Sequence, residues 1–279
     1  MIPRLLQFVR FSHTVFALPF ALGSMLVAAD GLPPARLAGL IVLCMVFART
    51  AAMIFNRLAD WEIDKRNPRT VGRHRLFPRG AAAVVLVLCS AAFVATTWFI
   101  NPLCFWLSPV ALLIVFFYSL TKRFTSFSHF FLGLALSVSP VGAWLAVRGH
   151  FEFAPLVLAL AVLLWVAGFD VIYATQDHEV DRVEGLRSLV VRLGVDRALH
   201  WAQGLHWLAF GVLLLFGFFG ELGWLYYAGL GLIAVALAFE HRVAARRDVD
   251  AINLAFFQSN AIVGMIFVVA IAADTLLAF

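Results

Sequence analysis

The chain contains NRLADWEID at residues 56–64 and YATQDHEVD at residues 173–181, two stretches that each end a long apolar run. Each stretch carries two aspartates four positions apart, Asp60 with Asp64 and Asp177 with Asp181. On a helix, positions i and i+4 lie on one face about 6 Å apart, so each pair can present two carboxylates in one direction. Carboxylate oxygens are the ligands that Mg²⁺ prefers. Two facing pairs therefore predict a divalent cation site.

The composition is that of a membrane protein. Hydrophobic residues make up 63% of the 279 positions and charged residues only 13%, with a mean hydropathy of +0.94. A soluble domain carries about twice this charged fraction. Apolar runs long enough to cross roughly 30 Å of hydrocarbon recur along the chain. We therefore predict an all-α, polytopic membrane protein in which residues 1–279 form a single transmembrane domain without a cleaved secretory signal.

The apolar pattern divides the chain into nine predicted transmembrane spans. They cover residues 12–30, 35–59, 80–100, 102–120, 128–148, 153–178, 197–219, 222–240 and 252–277. Gly- and Pro-containing breaks separate them, and the small residues Gly133, Gly142 and Gly168 are expected to allow close helix packing. The aspartate pairs follow the second and sixth spans, which is the pattern of a duplicated four-helix unit plus one final span.

The positive charges predict the orientation of the spans. Of the 21 Lys and Arg residues, 18 fall on the side of the N-terminus and of the loops at about 60–79 and 179–196. Under the positive-inside rule, that side is cytoplasmic. We therefore expect a protein of the inner, or cytoplasmic, membrane with its N-terminus and both aspartate pairs at the cytoplasmic face. The net charge of +5 is then a feature of topology, and we expect no nucleic-acid partner.

Polar residues continue each aspartate pair into the predicted spans. One stripe consists of Asp170, Tyr173, Asp177 and Asp181, and the other of Arg49, Asn56 and Asp60. Helical spacing places the members of each stripe on one face. The two innermost charges lie roughly 10–16 Å from the span end by helix rise. A charge at that depth costs about 2.5–3.5 kcal/mol on insertion scales and normally faces a bundle interior.

Two simpler interpretations of these charges remain open at this point. Arg49 and Asp170 could form a buried salt bridge with each other, and the four aspartates could be loop-edge acids that balance nearby arginines. Intramembrane charges usually mark a functional site, which favours a site. His206, in contrast, has no acid at helical spacing, and we expect it at the membrane interface.

Basic residues follow both aspartate pairs. They are Lys65, Arg66, Arg69, Arg73, Arg75 and Arg79 after the first pair, Lys122 and Arg123 after the fourth span, and Arg182, Arg187 and Arg192 after the second pair. Cations beside Mg²⁺-binding acids suit a diphosphate, whose charge needs both metal and Arg or Lys. Most of these residues are explained by topology alone, and Lys122 and Arg69 are the best candidates for diphosphate contacts.

Two spaced motifs carry a family resemblance: Asn56-x3-Asp60-x3-Asp64 with Arg69-Thr70 beyond it, and Tyr173-x3-Asp177-x3-Asp181-x3-Gly185-x2-Ser188. They resemble the signature motifs of the UbiA superfamily of intramembrane aromatic prenyltransferases. Arg49, Tyr118 and the Lys122-Arg123 pair also match positions of that family. The opening FSHTVFALP, at residues 11–19, is similar to the 4-hydroxybenzoate polyprenyltransferase branch.

The resemblance implies Mg²⁺-dependent transfer of a polyprenyl group from a polyprenyl diphosphate to a ring carbon of an aromatic acid. It implies that the metal is held by Asp60, Asp64, Asp177 and Asp181, with help from Asn56. It implies that the leaving diphosphate is bound by Lys122, Arg69 and Arg123. By the same resemblance, Arg49 orients the acceptor carboxylate, and Asp170 or Tyr173 shapes the cation pocket or takes part in proton removal. The prenyl tail is expected between spans, open to the lipid bilayer.

The acceptor and the pathway stay open between alternatives. Arg57 stands where many 4-hydroxybenzoate enzymes have Asp, and the second motif is similar to a branch that includes enzymes prenylating 1,4-dihydroxy-6-naphthoate for menaquinone. The first hypothesis is 4-hydroxybenzoate in respiratory quinone (ubiquinone) biosynthesis. A haem or chlorophyll prenyltransferase would not need an acid-binding Arg49. A cation-coupled transporter is the alternative of another class, but its binding groups would lie near the midplane.

Overall fold

The computed structural model describes residues 2–9, 16–66, 70–72, 75–246 and 249–277, without the side chains of residues 2, 3, 6 and 249–257. Every regular element in these ranges is a helix. The helices are α1 (Ile2–Phe8), α2 (Leu18–Ala29), α3 (Ala35–Ala59), α4 (Trp61–Arg66), α5 (Arg79–Trp98), α6 (Pro102–Thr121), α7 (Ser128–Arg148), α8 (Phe153–Ala174), α9 (His178–Val183), α10 (Leu189–Leu193), α11 (Val195–Phe219), α12 (Trp224–Ala244) and α13 (Val249–Leu277). The all-α prediction is confirmed.

The long helices follow the predicted spans closely. Within the described residues, eight helices are long and apolar enough to cross a membrane, and α2 is a shorter apolar helix of 12 residues. The first span was predicted to begin at residue 12, whereas α2 begins at Leu18; residues 12–15 lie outside the described part. The sixth span was predicted to run to residue 178, but α8 ends at Ala174.

Local sequence explains several of the helix ends. Asn101 caps α6, because its side chain accepts a hydrogen bond from the Cys104 backbone N–H at 2.8 Å, and Pro102 occupies the first helical position, where no N–H is needed. Gly149 ends α7 with a φ of 75°, a left-handed conformation that glycine adopts without strain.

Both aspartate motifs lie where a long helix gives way to a short one. Helix α3 ends at Ala59, and α4 resumes after Asp60. Helix α8 ends at Ala174, a 3-10 turn covers Thr175–Asp177, and α9 follows. The first aspartate of each pair thus occupies the interruption, and the second lies on the short helix. This repeated local structure, in addition to the sequence spacing, supports a duplicated unit.

Helix α8 lies at the centre of the bundle and packs against α7, α11 and α13. Its Trp165 contacts Phe20 of α2, with ring centroids 5.0 Å apart, and Phe20 in turn contacts Phe267 of α13 at 4.6 Å. Within lipid, where no hydrophobic driving force brings helices together, the van der Waals packing of such rings helps to hold the helices against one another. Because α8 also carries Asp170 and Tyr173, the most tightly packed helix positions part of the candidate site.

Two of the three small residues expected at helix contacts lie there. A Cβ on Gly133 would collide with the Leu163 backbone carbonyl of α8, and a Cβ on Gly168 would collide with the His206 ring. Gly142 has no atom within 4 Å of its Cβ position, so the prediction of a close contact there was wrong.

His206 is wholly buried, and its predicted place at the membrane interface was wrong. Its Nε2 donates to the Trp165 carbonyl at 3.1 Å, and its Nδ1 lies 3.0 Å from His241 Nε2. The Glu240 carboxylate lies 3.7 Å from the same Nδ1. The acid comes from the next helix, α12, so spacing within α11 could not reveal it.

Gly133→Ala is expected to destabilise the protein by about 1–3 kcal/mol, because the added methyl group meets rigid backbone rather than a movable side chain. Gly142→Ala, on the same helix but facing open space, is the matched control and is expected to change stability by no more than about 1 kcal/mol, the difference in helix propensity. Thermal unfolding of the detergent-purified variants would compare them. Equal melting temperatures would contradict a close α7–α8 contact at Gly133.

Candidate active site

A cavity of about 290 Å³ lies at the C-terminal ends of α3, α6 and α8, beside both aspartate pairs; we call it the polar cavity. Nine of the residues predicted from the sequence line it: Arg49, Asn56, Asp60, Asp64, Lys122, Asp170, Tyr173, Asp177 and Asp181. Arg123 lies outside the lining, and Arg69 lies outside the described residues. The fold thus brings both predicted stripes to one space.

Asp60 is the most enclosed of the four motif aspartates, with 4% of its surface exposed. Lys122 Nζ donates to its Oδ2 at 2.7 Å, and Asn56 Nδ2 lies 3.4 Å from the same oxygen. Arg123 lies 3.7 Å from the other oxygen, Oδ1, and also donates to the Ala59 carbonyl. Asp60 Oδ1 is buried without a hydrogen-bond partner. A buried carboxylate oxygen in this state is a ready ligand for a cation.

Asp64 is paired with a different cation. Arg57 Nη1 lies 3.6 Å from Asp64 Oδ2, and Arg57 Nε donates to the Phe8 carbonyl of α1 at 3.4 Å. The Thr70 hydroxyl donates to the Asp64 backbone carbonyl at 3.0 Å. Arg57, which departs from the family pattern, therefore supplies a counter-charge to a motif aspartate and joins α1 to the site.

The second motif forms the opposite wall. Asp177 and Asp181 line the cavity, and both are only half-buried. After them, Gly185 takes a φ of 69°, and Ser188 caps α10 by accepting from the Val191 N–H at 3.1 Å. The Gly and Ser of the extended motif are thus explained by the turn and the helix start that they form.

Hydrogen bonds and an ion pair connect the walls of the cavity. The Arg187 backbone N–H donates to the Lys122 carbonyl at 2.7 Å, and its side chain donates to the Phe124 carbonyl at 2.8 Å. Arg66 of α4 forms an ion pair with Glu184 at 2.9 Å. The segments that follow the two aspartate motifs are therefore in direct contact with the rest of the site.

Asp170 is paired with a residue that the sequence did not single out. His129 Nδ1 lies 2.6 Å from Asp170 Oδ2, and the Leu189 N–H donates to His129 Nε2 at 3.4 Å. His129 is an isolated histidine at the start of α7, 41 positions from Asp170, so no spacing rule points to it. Its role becomes visible only once α7 and α8 are packed together.

Arg49 does not form the salt bridge with Asp170 that the sequence left open, since the acid's ion-pair partner among the described residues is His129. The Arg49 Nε is buried and has no hydrogen-bond partner. A buried guanidinium nitrogen without an acceptor is costly, which favours a ligand that supplies one.

A second cavity, of about 410 Å³, adjoins the polar one, and we call it the apolar cavity. It lies between α3, α6 and α7 and is lined mainly by aliphatic side chains, including Ile41, Leu107 and Val141. Arg49, Tyr118 and Leu136 line both cavities. The polar cavity and the apolar cavity thus share one wall, which consists of these three side chains.

The acids suit Mg²⁺ only together with further oxygen ligands. Among the described residues, no three His, Cys, Asp or Glu side chains converge on one point as a complete metal site. Mg²⁺ usually binds through one or two carboxylates plus phosphate oxygens and waters, rather than in an all-protein cage. Carboxylates on two walls, one with an unpartnered buried oxygen, fit that mode of binding.

Comparison with known proteins gives the family. The model of the UbiA prenyltransferase family matches residues 17–262. The chain belongs to this family. It is therefore a membrane prenyltransferase, and the transporter alternative is set aside.

Relatives and solved structures within the UbiA family agree with the assignment. The chain is 30% identical to the 4-hydroxybenzoate octaprenyltransferase of Marinobacter nauticus, over 92% of this chain and 88% of the relative. It is 33% identical to the enzyme of the same name from Aeromonas hydrophila, over 86% and 85%. The apo structure of a UbiA homolog from Aeropyrum pernix K1 superposes with a TM-score of 0.86 at 29% identity, covering 95% of this chain and 98% of that one.

A more distant UbiA homolog, from Archaeoglobus fulgidus, shares the fold with a TM-score of 0.75 at 19% identity, over 99% of this chain and 100% of that one. That homolog was solved with DMAPP and Mg²⁺ bound. The all-α architecture found here is therefore that of the UbiA fold.

Proposed function

We propose that this protein transfers a polyprenyl group from a polyprenyl diphosphate to a ring carbon of an aromatic acid, 4-hydroxybenzoate first, in the biosynthesis of a respiratory quinone such as ubiquinone. The observation that carries the proposal is the junction of the polar and apolar cavities. A prenyl diphosphate has a multiply charged head and a hydrocarbon tail, and this junction offers a matching environment to each part. The names of the relatives support 4-hydroxybenzoate as the acceptor.

The diphosphate is assigned to the polar cavity. Mg²⁺ would be held by Asp60, Asp64, Asp177 and Asp181, with the Asn56 amide beside them, and when bound it supplies positive charge that stabilises the leaving diphosphate. The ammonium of Lys122, now 2.7 Å from Asp60, lies where it can transfer its contact to a diphosphate oxygen. Arg69 and Arg123 are proposed to add charge at the rim.

The aromatic acid is assigned to the inner end of the polar cavity. Arg49 has a buried nitrogen without an acceptor, and a guanidinium can bind a carboxylate through two parallel hydrogen bonds. Asp170 and Tyr173 line the same cavity and are the candidates for shaping the cation pocket or removing a proton. With the carboxylate held at Arg49, the ring is presented to the allylic carbon of the donor.

The prenyl tail is assigned to the apolar cavity and the bilayer beside it. A cavity of about 410 Å³ holds only part of a long polyprenyl chain. The remainder is expected to extend toward lipid, where burial of each CH₂ stabilises it by about 0.8 kcal/mol. The active site is proposed to face the cytoplasm, on the side that collects the positive charges.

The decisive experiment measures product by mass in membranes that contain the protein, supplied with a polyprenyl diphosphate, 4-hydroxybenzoate and either Mg²⁺ or EDTA. A prenylated adduct that forms only with Mg²⁺ is expected. Asp60→Ala and Asp177→Ala are each expected to lower the rate about 100-fold or more without unfolding the protein, because losing even an outer-shell partner of a metal ligand costs about 10- to 100-fold and these residues are proposed as the ligands themselves. Glu179→Ala removes an exposed acid between Asp177 and Asp181 and is the matched control.

Each result of this assay has a distinct meaning. Near-normal activity of either aspartate variant would remove the metal assignment. An adduct with 1,4-dihydroxy-6-naphthoate but none with 4-hydroxybenzoate would change the acceptor and the pathway to menaquinone. No adduct with either acid, from folded protein, would refute the proposed function.

Mg²⁺ and inorganic diphosphate are expected to stabilise the purified protein much more together than separately, since the acids lie on two walls and need oxygens between them. At 100 times the dissociation constant, a ligand stabilises the folded state by about 2.7 kcal/mol. Thermal unfolding with Mg²⁺, with diphosphate and with both would measure this. Full stabilisation by Mg²⁺ alone would contradict shared ligation.

Arg49→Ala is expected to raise the KM of the aromatic acid roughly 10- to 100-fold, the equivalent of losing a charge-assisted hydrogen bond. The KM of the prenyl donor should change much less. Arg49→Lys keeps the charge but loses the bidentate geometry, and we expect an intermediate value. Steady-state kinetics with each substrate varied in turn would test this. An equal rise in both KM values would rule out the carboxylate contact.

A further inference from the structure

His129 and Asp170 form a buried pair at the wall of the polar cavity. The His129 side chain is 3% exposed, whereas that of Asp170 is 27% exposed, so the carboxylate is the part of the pair that a ligand can reach. The 2.6 Å distance between Nδ1 and Oδ2 is that of a strong, charge-assisted hydrogen bond. Asp170 has no other hydrogen-bond partner among the described residues, and its second oxygen is available to a ligand.

The hydrogen bonds determine the tautomer of His129. The Leu189 N–H donates to Nε2, so Nε2 carries no proton and accepts. Nδ1 then carries the hydrogen and donates to Asp170. Both ring nitrogens are therefore occupied, one by α8 and the other by the start of α10, and the ring has neither a free nitrogen for a substrate nor freedom to rotate.

This arrangement separates two roles. Histidine cannot act as a base toward a substrate while its only lone pair accepts from a backbone N–H. Asp170 can, because His129 holds one of its oxygens and leaves the other directed to the cavity. We propose that Asp170 takes the hydroxyl proton of the aromatic acceptor and that His129 is the positioning residue that orients its carboxylate. This inference rests on the proposed function and selects Asp170 over Tyr173 as the proton acceptor.

Proton transfer from the acceptor accompanies attack of its ring on the prenyl donor. The acceptor O–H bond breaks, its proton moves to Asp170, and the electron pair stays on oxygen. The ring carbon beside that oxygen forms a bond to the allylic carbon, while the allylic C–O bond breaks and its electron pair leaves on diphosphate. The resulting dienone becomes a phenol when the ring hydrogen is lost and the oxygen regains a proton. One proton in total remains on Asp170 and passes to water.

The acceptor must lose its hydroxyl proton to react quickly. A phenolate ring donates electrons far better than the neutral phenol, so proton removal raises the rate of attack on the allylic carbon. Phenols ionise near pH 10, and at neutral pH the enzyme must therefore remove the proton itself. As the pH rises toward that value, a growing fraction of the acceptor arrives already ionised and needs the Asp170–His129 pair less.

The experiment compares wild type with His129→Leu and Asp170→Asn by product formation between pH 7 and 9.5, with 4-hydroxybenzoate as the varied substrate. At pH 7 we expect kcat/KM to fall about 10- to 100-fold in His129→Leu, the size of effect that follows when the partner that orients a metal ligand is removed. The ratio of wild type to variant is expected to decrease steadily toward pH 9.5. A purely structural defect would give a ratio that does not change with pH.

The ratio isolates the pair because all other charged or titratable groups of the cavity lining are common to the proteins compared. In the described residues, they are Arg49, Arg57, Asp60, Asp64, Tyr118, Lys122, Tyr173, Asp177, Asp181 and Arg187. His129→Asn is the conservative control, since its amide nitrogen takes the place of Nδ1 and can still donate to Asp170. It is expected to retain activity within about fivefold of wild type.

Several results would overturn the inference. A pH-independent ratio for both His129→Leu and Asp170→Asn would exclude proton removal by Asp170. His129→Asn as inactive as His129→Leu, with both folded, would exclude the orienting hydrogen bond. If His129→Leu does not fold, the test uses Asp170→Asn, which keeps His129. The ratio of wild-type to Asp170→Asn kcat/KM is then compared across the same pH range. Wild type without product would refute the proposed function and this inference with it, whereas active wild type with pH-independent variants would refute the inference alone.

Discussion

The site depends on one electrostatic constraint: two carboxylates are buried at the end of a membrane bundle, and each requires a cation. Burying an unpaired ion costs several kcal/mol. Asp60 pairs with Lys122 at the end of α6, and Asp64 of α4 pairs with Arg57 of α3, which also donates to the Phe8 carbonyl of α1. The partners in each pair come from different helices. The need to neutralise each buried carboxylate therefore constrains the relative positions of α1, α3 and α6. A diphosphate and its metal would exchange contacts with charges that are already in place.

Much of the fold could be predicted from the sequence because a membrane restricts the choices. Helices and closed β-barrels are the only structures that satisfy their backbone within lipid, and apolar runs of about 20 residues have the length of a spanning helix. The runs therefore gave helix positions directly, and α7 matches its predicted span of 128–148 residue for residue. The stripes were equally predictable, since helical spacing places Asp170 and Asp177 on the face that now lines the polar cavity. What was predicted in each case is a local property of one helix.

The features that escaped prediction are contacts between helices. His129 lies 41 positions from Asp170, and His206 meets Glu240 of the next helix. Neither histidine has an acidic residue at helical spacing on its own helix. At Gly142 the opposite happened: the sequence predicted a contact between helices that the structure does not have, because this glycine faces open space. Rotation of each helix about its axis, which decides such contacts, follows from side-chain packing across the whole bundle.

The wall of Arg49, Tyr118 and Leu136 has a consequence for how selectivity is divided. A single layer of side chains separates the charged compartment from the hydrocarbon-like one. For an amphiphilic ligand, the residues that contact the head are therefore different residues from those that contact the first part of the tail. Substitutions far inside the apolar cavity can change its shape without touching the aspartates. The surroundings of the head and of the tail can accordingly diverge separately during evolution, on one unchanged scaffold.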